Sequence, residues 1–283
     1  MQGKSCAARA GAICLLALLT VLIGCQRGRP PEVSDRSDLV EQLLLNLGDG
    51  VTLKCAKIPA GTFLMGSPPD EAWRQPDEGP QRVVTISKPF FMGVYEVTRR
   101  QYKQVMGECR GDTLPGYTAD DNCPVEYVTW VEAVLFCELV TKRTGCVVRL
   151  PTEAEWEYAC RAGANRRFCF GDKEEDLTEY EEYARDENRI VRVAPVGSYF
   201  ANTWGLYDVH GNVWEWCWDW YSDSYSEKDR EDPVGPEDGS ERVLRGGGWD
   251  RYAFRASCAS RYAARPRTVM SHVGFRVQVE CSE

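Results

Sequence analysis

The sequence predicts one coil-rich domain of mixed α and β structure, with few and short regular elements. Three observations predict it. Alternating apolar and polar residues recur only in short bursts, at 51–55, 83–86 and 90–97. Three Ser/Thr-x-x-Glu/Gln capping boxes open helices, at Thr98, Thr129 and Thr152. From Gly163 to Asp250 periodic patterning fades into a stretch rich in Gly, Asp and aromatic residues. Coil of that length survives in a folded domain only where function, disulfides or buried aromatics pin it.

Taken in order, Lys4 and Arg9 precede an uncharged apolar run over 10–23. That run is shorter than the about 20 residues a membrane span needs, and it fits the hydrophobic segment of a secretory leader over 1–24. It ends Leu22-Ile23-Gly24-Cys25, which resembles the lipobox of bacterial lipoproteins. That resemblance implies cleavage before Cys25 and acylation of that cysteine. The expected location is therefore the bacterial cell envelope, lipid-anchored and extracytoplasmic, at the outer membrane or cell surface. Residues 25–50 read as the acylated cysteine and a polar, Pro-rich tether. Within them, 37–47 suggests a short helix stopped by Gly48. The domain proper is read as 51–283.

Val51, Leu53 and Cys55 begin a strand that Pro59-Ala60-Gly61 breaks and 62–65 resumes. Residues 67–81 are polar and Pro-rich, hence loop. The helix after Thr98 is boxed by Gln101, the one after Thr129 by Glu132 and the one after Thr152 by Glu155. Val131, Val134, Leu135 and Leu139 keep helical spacing in the second, which Gly145 ends; Trp156, Ala159 and Cys160 do so in the third, ending near Gly163. Trp214, Trp216, Trp218 and Trp220 then fall at every second residue, so an extended strand would put them on one face. Core packing is the expected role of these indoles, and a stacking platform for sugars or aromatic ligands is the alternative.

Composition excludes several functions. Lys and Arg number 34 against 43 Asp and Glu, for a net charge of -9, so no basic surface for nucleic acid is indicated. Only His210 and His272 are present, which rules out a multi-histidine metal site. No P-loop and no dinucleotide fingerprint occurs. Of 13 cysteines, Cys6 and Cys14 leave with the leader and Cys25 takes lipid; the ten that remain suit disulfides in an exported protein. Cys109 and Cys123 bracket a Gly/Asp/Pro-rich loop and are candidates to staple it. Connectivity stays open.

Several stretches together resemble the formylglycine-generating enzyme, or sulfatase-modifying factor, family. They are Ile58-Pro59-Ala60-Gly61-Thr62-Phe63, Tyr95-Glu96-Val97-Thr98, Arg149-Leu150-Pro151-Thr152-Glu153-Ala154-Glu155-Trp156-Glu157, Gly211-Asn212-Val213-Trp214-Glu215-Trp216, Arg245-Gly246-Gly247 and Gly274-Phe275-Arg276-Val277. The likeness runs over about 51–279 and implies an α+β fold of the C-type-lectin-like kind. Family enzymes oxidise a sulfatase cysteine with two copper(I)-binding cysteines shortly after the Gly-Gly pair, where soft thiolates suit the ion. Those positions fall here at Arg251 and Ala256, which cannot ligate copper, and only Cys258 lies nearby. Copper is therefore not expected, and no residue is nominated as catalytic.

The resemblance also implies one calcium site, through the side chains of Asp208 and Glu215 and the carbonyls of Gly211 and Val213, since calcium prefers hard oxygens. A buried Glu215 paired with an arginine is the plainer reading. Cys137 and Cys160 match family cysteines that bridge to the C-terminal region, with Cys281 and Cys258 as candidate partners. Among relatives of this fold are lipoprotein recognition modules whose C-terminal segment, diversified by a retroelement in some, is the ligand face. The matching stretch is 249–272, with Trp249, Asp250, Arg251, Tyr252, Ser260, Tyr262, Arg265, Arg267, Thr268 and His272 as candidate contacts. The expected function is binding of a protein or other extracellular ligand, with membrane contact through the anchor; formylglycine generation is the alternative.

Overall fold

The computed structural model describes residues 40–114, 120–179, 193–249 and 255–281. Cys25 and the leader lie outside the described residues, as do Asp250, Arg251 and Tyr252. Among the described residues no helix is long and apolar enough to cross a membrane.

The chain enters as strand β1 (Gln42–Gly48), where a short helix over 37–47 was expected. Leu45 and Leu47 are buried while Leu44 is 62% exposed, a period of two rather than of 3.6. Asp49 and Gly50 both take positive φ, and Gly48 pairs with Val51 of β2 (Val51–Ile58), so the pair closes a two-residue hairpin. The folded sheet therefore begins inside the stretch read as tether. β3 (Gly61–Met65) pairs β4 (Arg82–Ile86), and β5 (Phe90–Gly93) returns to β2, ending earlier than the alternation to Val97 suggests.

All three capping boxes form. Thr98, Thr129 and Thr152 each accept from the third backbone N–H of α1 (Arg99–Met106), α2 (Trp130–Thr144) and α3 (Glu153–Arg161), and the boxed Gln or Glu accepts from the cap's own N–H. Gly145 ends α2 in the left-handed region. The buried face of α2 is Ala133, Phe136, Cys137 and Val140, however, so the Val131–Leu135–Leu139 stripe is not the core face. Val131 is 39% and Leu135 43% exposed. Both stripes have helical spacing; the aromatic one packs on Tyr102 and Phe275, and a larger buried area wins.

β6 (Val147–Arg149) and β11 (Gln278–Glu280) complete a five-stranded sheet in the order β1-β2-β5-β11-β6. A second sheet, β10-β7-β8-β9, is built from β7 (Trp214–Trp220), β8 (Arg242–Arg245), β9 (Tyr262–Ala264) and β10 (Val273–Gly274). β7 is the extended strand that the tryptophan spacing predicts. Trp214 and Trp216 are core, with the Trp216 indole N–H donating to the Val128 carbonyl at 3.0 Å. Trp218 breaks the pattern: it is 39% exposed. A register shift between Trp216 and Trp220 re-aims the strand's outer end.

Candidate functional site

Behind β7 and α3 lies a buried network of charges that fixes the C-terminal segment. Glu153 and Glu157 sit one turn apart on α3 and are fully buried with Arg161. Glu157 accepts from the Gly66 N–H and the Arg161 Nε, each at 2.8 Å, and pairs with Arg245 on β8. Arg245 in turn donates to the carbonyls of Cys258 (2.9 Å) and Ser260 (2.8 Å). Arg261 grips both Glu153 oxygens, at 2.6 and 2.9 Å, and reaches the carbonyls of Asp77 and Ser222. Burial pushes the Glu153 carboxyl up, and Arg261 and Arg245 outweigh it, leaving it below its ordinary range. The guanidiniums thus act as hydrogen-bonded struts under residues 258–261, because buried charge is tolerated only when paired.

The stretch implied to bind calcium is a second buried charge cluster. Glu215 is held by Arg276 through Nε and Nη2, each at 2.7 Å, and by the Trp156 indole N–H at 2.8 Å. The plainer reading of Glu215 therefore describes its first partner. Asp208 accepts from the Gly197 N–H at 2.7 Å, and its Oδ1 is buried without a hydrogen-bond donor. Glu96 lies alongside, accepting from Asn212 Nδ2 at 3.3 Å and from the Val213 N–H at 3.4 Å. Arg276 is the guanidinium facing Glu215, Glu96 and Asp208 together. Burial pushes Asp208 up to about 6, and the Glu215 charge adds to it. Both Glu215 oxygens are thus bonded to Arg276 and Trp156, and Asp208 keeps one hard oxygen without a donor, the kind of atom calcium takes. Glu96 was not among the residues expected here; the signal for it was the Tyr95-Glu96-Val97-Thr98 motif.

The Gly-Gly pair and its neighbourhood carry no open thiol. Gly246 and Gly247 take φ of 101° and 84°, and a Cβ on Gly247 would meet the Arg255 carbonyl at 3.0 Å, so glycine is required for the chain to double back. Ala256, at one copper position, is 3% exposed. Cys258 is fully buried, its Sγ 3.5 Å from that of Cys160. Burial holds the Cys160 thiol well above its ordinary range. His210 joins these two thiols in one cluster, yet both its nitrogens are engaged: Nε2 accepts from the Cys169 N–H at 3.1 Å, and Nδ1 lies 2.8 Å from the Ala256 carbonyl. Burial lowers its pKa to about 4, so His210 is a neutral structural brace at neutral pH.

The candidate ligand face divides. Ser260 is fully buried, its carbonyl taken by Arg245, so it is a strut rather than a contact. Arg265 and Arg267 are exposed. Trp249, Tyr262, Thr268 and His272 are half-buried. The Trp249 indole N–H donates to Glu126 at 3.0 Å, Tyr262 packs on Trp214 at 5.5 Å, and the His272 carbonyl accepts from the Trp214 N–H at 2.9 Å. The loop is seated by its carbonyls: Pro266 accepts from the Val131 N–H and Met270 from the Tyr127 N–H. This places Val131 of α2 against the loop, which also carries Val269, 40% exposed.

One disulfide joins Cys146 to Cys281, 135 residues apart. Cys281 thus bridges to Cys146 rather than to Cys137, which is buried inside α2 with a free thiol. Cys146 sits beyond the helix end beside β6, the strand that pairs β11, and that pairing brings the two Cα atoms to 4.6 Å. Cys109 and Cys123 are each buried and free, so the staple expected between them is not formed. Their thiols face different carbonyls, Arg99 and Val193.

The chain thus combines a five-stranded, a four-stranded and a two-stranded sheet with a Gly-Gly turn and buried Arg–Glu struts. Residues 52–281 match the family model described as the sulfatase-modifying factor enzyme 1-like domain, and the chain belongs to this family. It is 32% identical to the formylglycine-generating enzyme of Mus musculus over 79% of this chain and 74% of that protein. Among solved structures it is similar to PvdO from Pseudomonas aeruginosa, at 31% identity and a TM-score of 0.75, covering 84% of this chain and 98% of that one. It is also similar to Treponema denticola variable protein 1, at 26% identity and a TM-score of 0.72, again over 84% and 98%.

Proposed function

We propose that this chain is a recognition lipoprotein of the bacterial envelope, anchored through Cys25 and presenting residues 249–272 to a protein or other extracellular ligand. One observation carries this reading: the segment changes from buried struts at 257–261 to exposed Arg265, Arg267 and Val269 within a few residues. A rigid base under a rim of exposed arginine, apolar and half-buried aromatic groups suits adaptable contacts. The likeness to a treponemal protein described as variable supports it. Ala256 in place of a copper ligand, and the burial of Cys258 beside Cys160, support binding without copper chemistry. Calcium acts as a structural ion at Asp208, with the carbonyls of Gly211 and Val213 and the remaining lone pairs of Glu215.

The test has two arms. The purified full chain is given copper(I), oxygen and a Cys-x-Pro-x-Arg peptide, and the peptide mass is read. No conversion is expected; formation of formylglycine overturns the reading. Copies of the gene from different isolates are expected to differ mainly between 249 and 272, and invariance there counts against a diversified ligand face.

A further inference from the structure

A second cavity lies on another part of the surface, between β5, β11 and the outer end of β7. It measures about 640 Å³ and none of the 249–272 residues lines it. Trp218 forms one wall, as the tryptophan of β7 that the core leaves open at 39% exposure. Its indole is backed by Trp130 at 5.5 Å and by the Arg242 guanidinium at 5.7 Å, which hold the ring in place. Gln278 on β11 forms the opposite chemistry. Its side chain is fully buried, Nε2 donates to Glu280 at 3.2 Å, and Oε1 has no donor although it belongs to a cavity-lining residue. A buried amide oxygen left unpaired is costly, so the site calls for an O–H or N–H from outside the chain.

Of the charged groups that line the cavity, Arg149, Glu155, Glu280 and Asp232 have partners, and Lys88 is exposed. Arg149 donates to both Glu155 oxygens at 2.7 Å and to Glu280 at 3.2 Å, and the capping box of α3 fixes Glu155 in turn. Asp232 accepts from the Ser87 N–H at 2.8 Å. The cavity thus offers a backed indole, an unsatisfied neutral acceptor and polar groups held in place by one another. That combination matches a molecule with an apolar C–H face and a rim of hydroxyls, and the volume lies within the range of small-ligand sites. We propose that this cavity is a glycan site that takes a neutral pyranose, its C–H face on Trp218 and one hydroxyl donating to Gln278 Oε1. The site is independent of the ligand face proposed above.

The test titrates the purified full chain with methyl glucoside, methyl galactoside, methyl mannoside and N-acetylglucosamine, each also as its β-linked dimer, by calorimetry and tryptophan fluorescence. At least one is expected to bind and to perturb the emission. Trp218→Ala should weaken that binding by about tenfold or more and abolish the emission change, and Gln278→Leu should weaken it by about tenfold. Trp218→Phe, which keeps a flat apolar wall, should retain binding within a few-fold at an unchanged melting temperature, and Arg265→Ala should leave it untouched. The proposal is overturned if none of these sugars binds, if binding survives Trp218→Ala, or if an arginine methyl ester binds while the sugars do not.

Discussion

Residues 257–261 and 262–272 are neighbours in sequence and opposites in environment. In the first, Ser257, Cys258, Ala259, Ser260 and Arg261 are all buried, and three of them touch the α3–β8 charge network. In the second, Arg265, Arg267 and Val269 stand in solvent, while Tyr262 packs on Trp214 and the carbonyls of Pro266, Met270 and His272 are tied down. The difference teaches how one scaffold can hold a loop's path and leave its side chains free to change. Path is set through main-chain carbonyls, which every residue has, and specificity is left to side chains.

Two changes to the buried network and its surroundings should cost stability, two more probe a bound cation and a buried proton, and one at the rim should leave stability unchanged. Glu157→Ala leaves Arg245 and Arg161 buried with one carboxylate fewer, and denaturant unfolding should show a loss of about 3–5 kcal/mol; a loss below about 1 kcal/mol would mean that the struts do not set the path. Cys146→Ser opens a link between residues 135 apart and should cost about 2–4 kcal/mol, with no further effect of reductant on the variant. Calcium at a hundredfold excess over its Kd should add about 2.7 kcal/mol to the unfolding free energy of the wild type and nothing to Asp208→Ala, read as a melting shift.

Asp219 sharpens the contrast through pH. Burial and the nearby Glu153 push its carboxyl up to about 8. The folded chain therefore keeps a proton that the unfolded chain releases near pH 4. The stability linked to that proton is complete below about pH 4 and is lost as pH rises to about 8. Asp219→Asn should lack this slope and gain on the wild type by several kcal/mol, at most about 5, by pH 8, measured as unfolding free energy across that window. At the rim, Arg265→Ala with Arg267→Ala should change stability by less than about 0.5 kcal/mol while weakening any ligand of this face.

What the sequence disclosed follows from how local each cause is. The three capping boxes are four-residue events, and all formed where they were read. The Asp49-Gly50 hairpin was equally local, and its turn dipeptide was overlooked in favour of the leucines before it. The face of α2 was not legible, because two stripes share helical spacing and only Tyr102 and Phe275, distant in sequence, choose between them. The Cys146–Cys281 link depends on β6 and β11 becoming neighbours, which no spacing encodes. Of the candidate site, Asp208 and Glu215 were readable from one motif. Glu96 and Arg276 joined them only through the fold, and Ser260 proved buried because its carbonyl serves Arg245.

The order of the five-stranded sheet has a further consequence. β11 is made by residues 278–280, yet it lies between β5 and β6, the later of which ends at Arg149. Until those late residues arrive, both flanking strands expose an unpaired edge, and the disulfide that locks the seam has only one of its sulfurs. A chain exported by threading through a narrow channel would cross with its largest sheet still open. For a chain exported as proposed above, closure of the sheet and sealing of Cys146 to Cys281 would fall to the same side of the membrane.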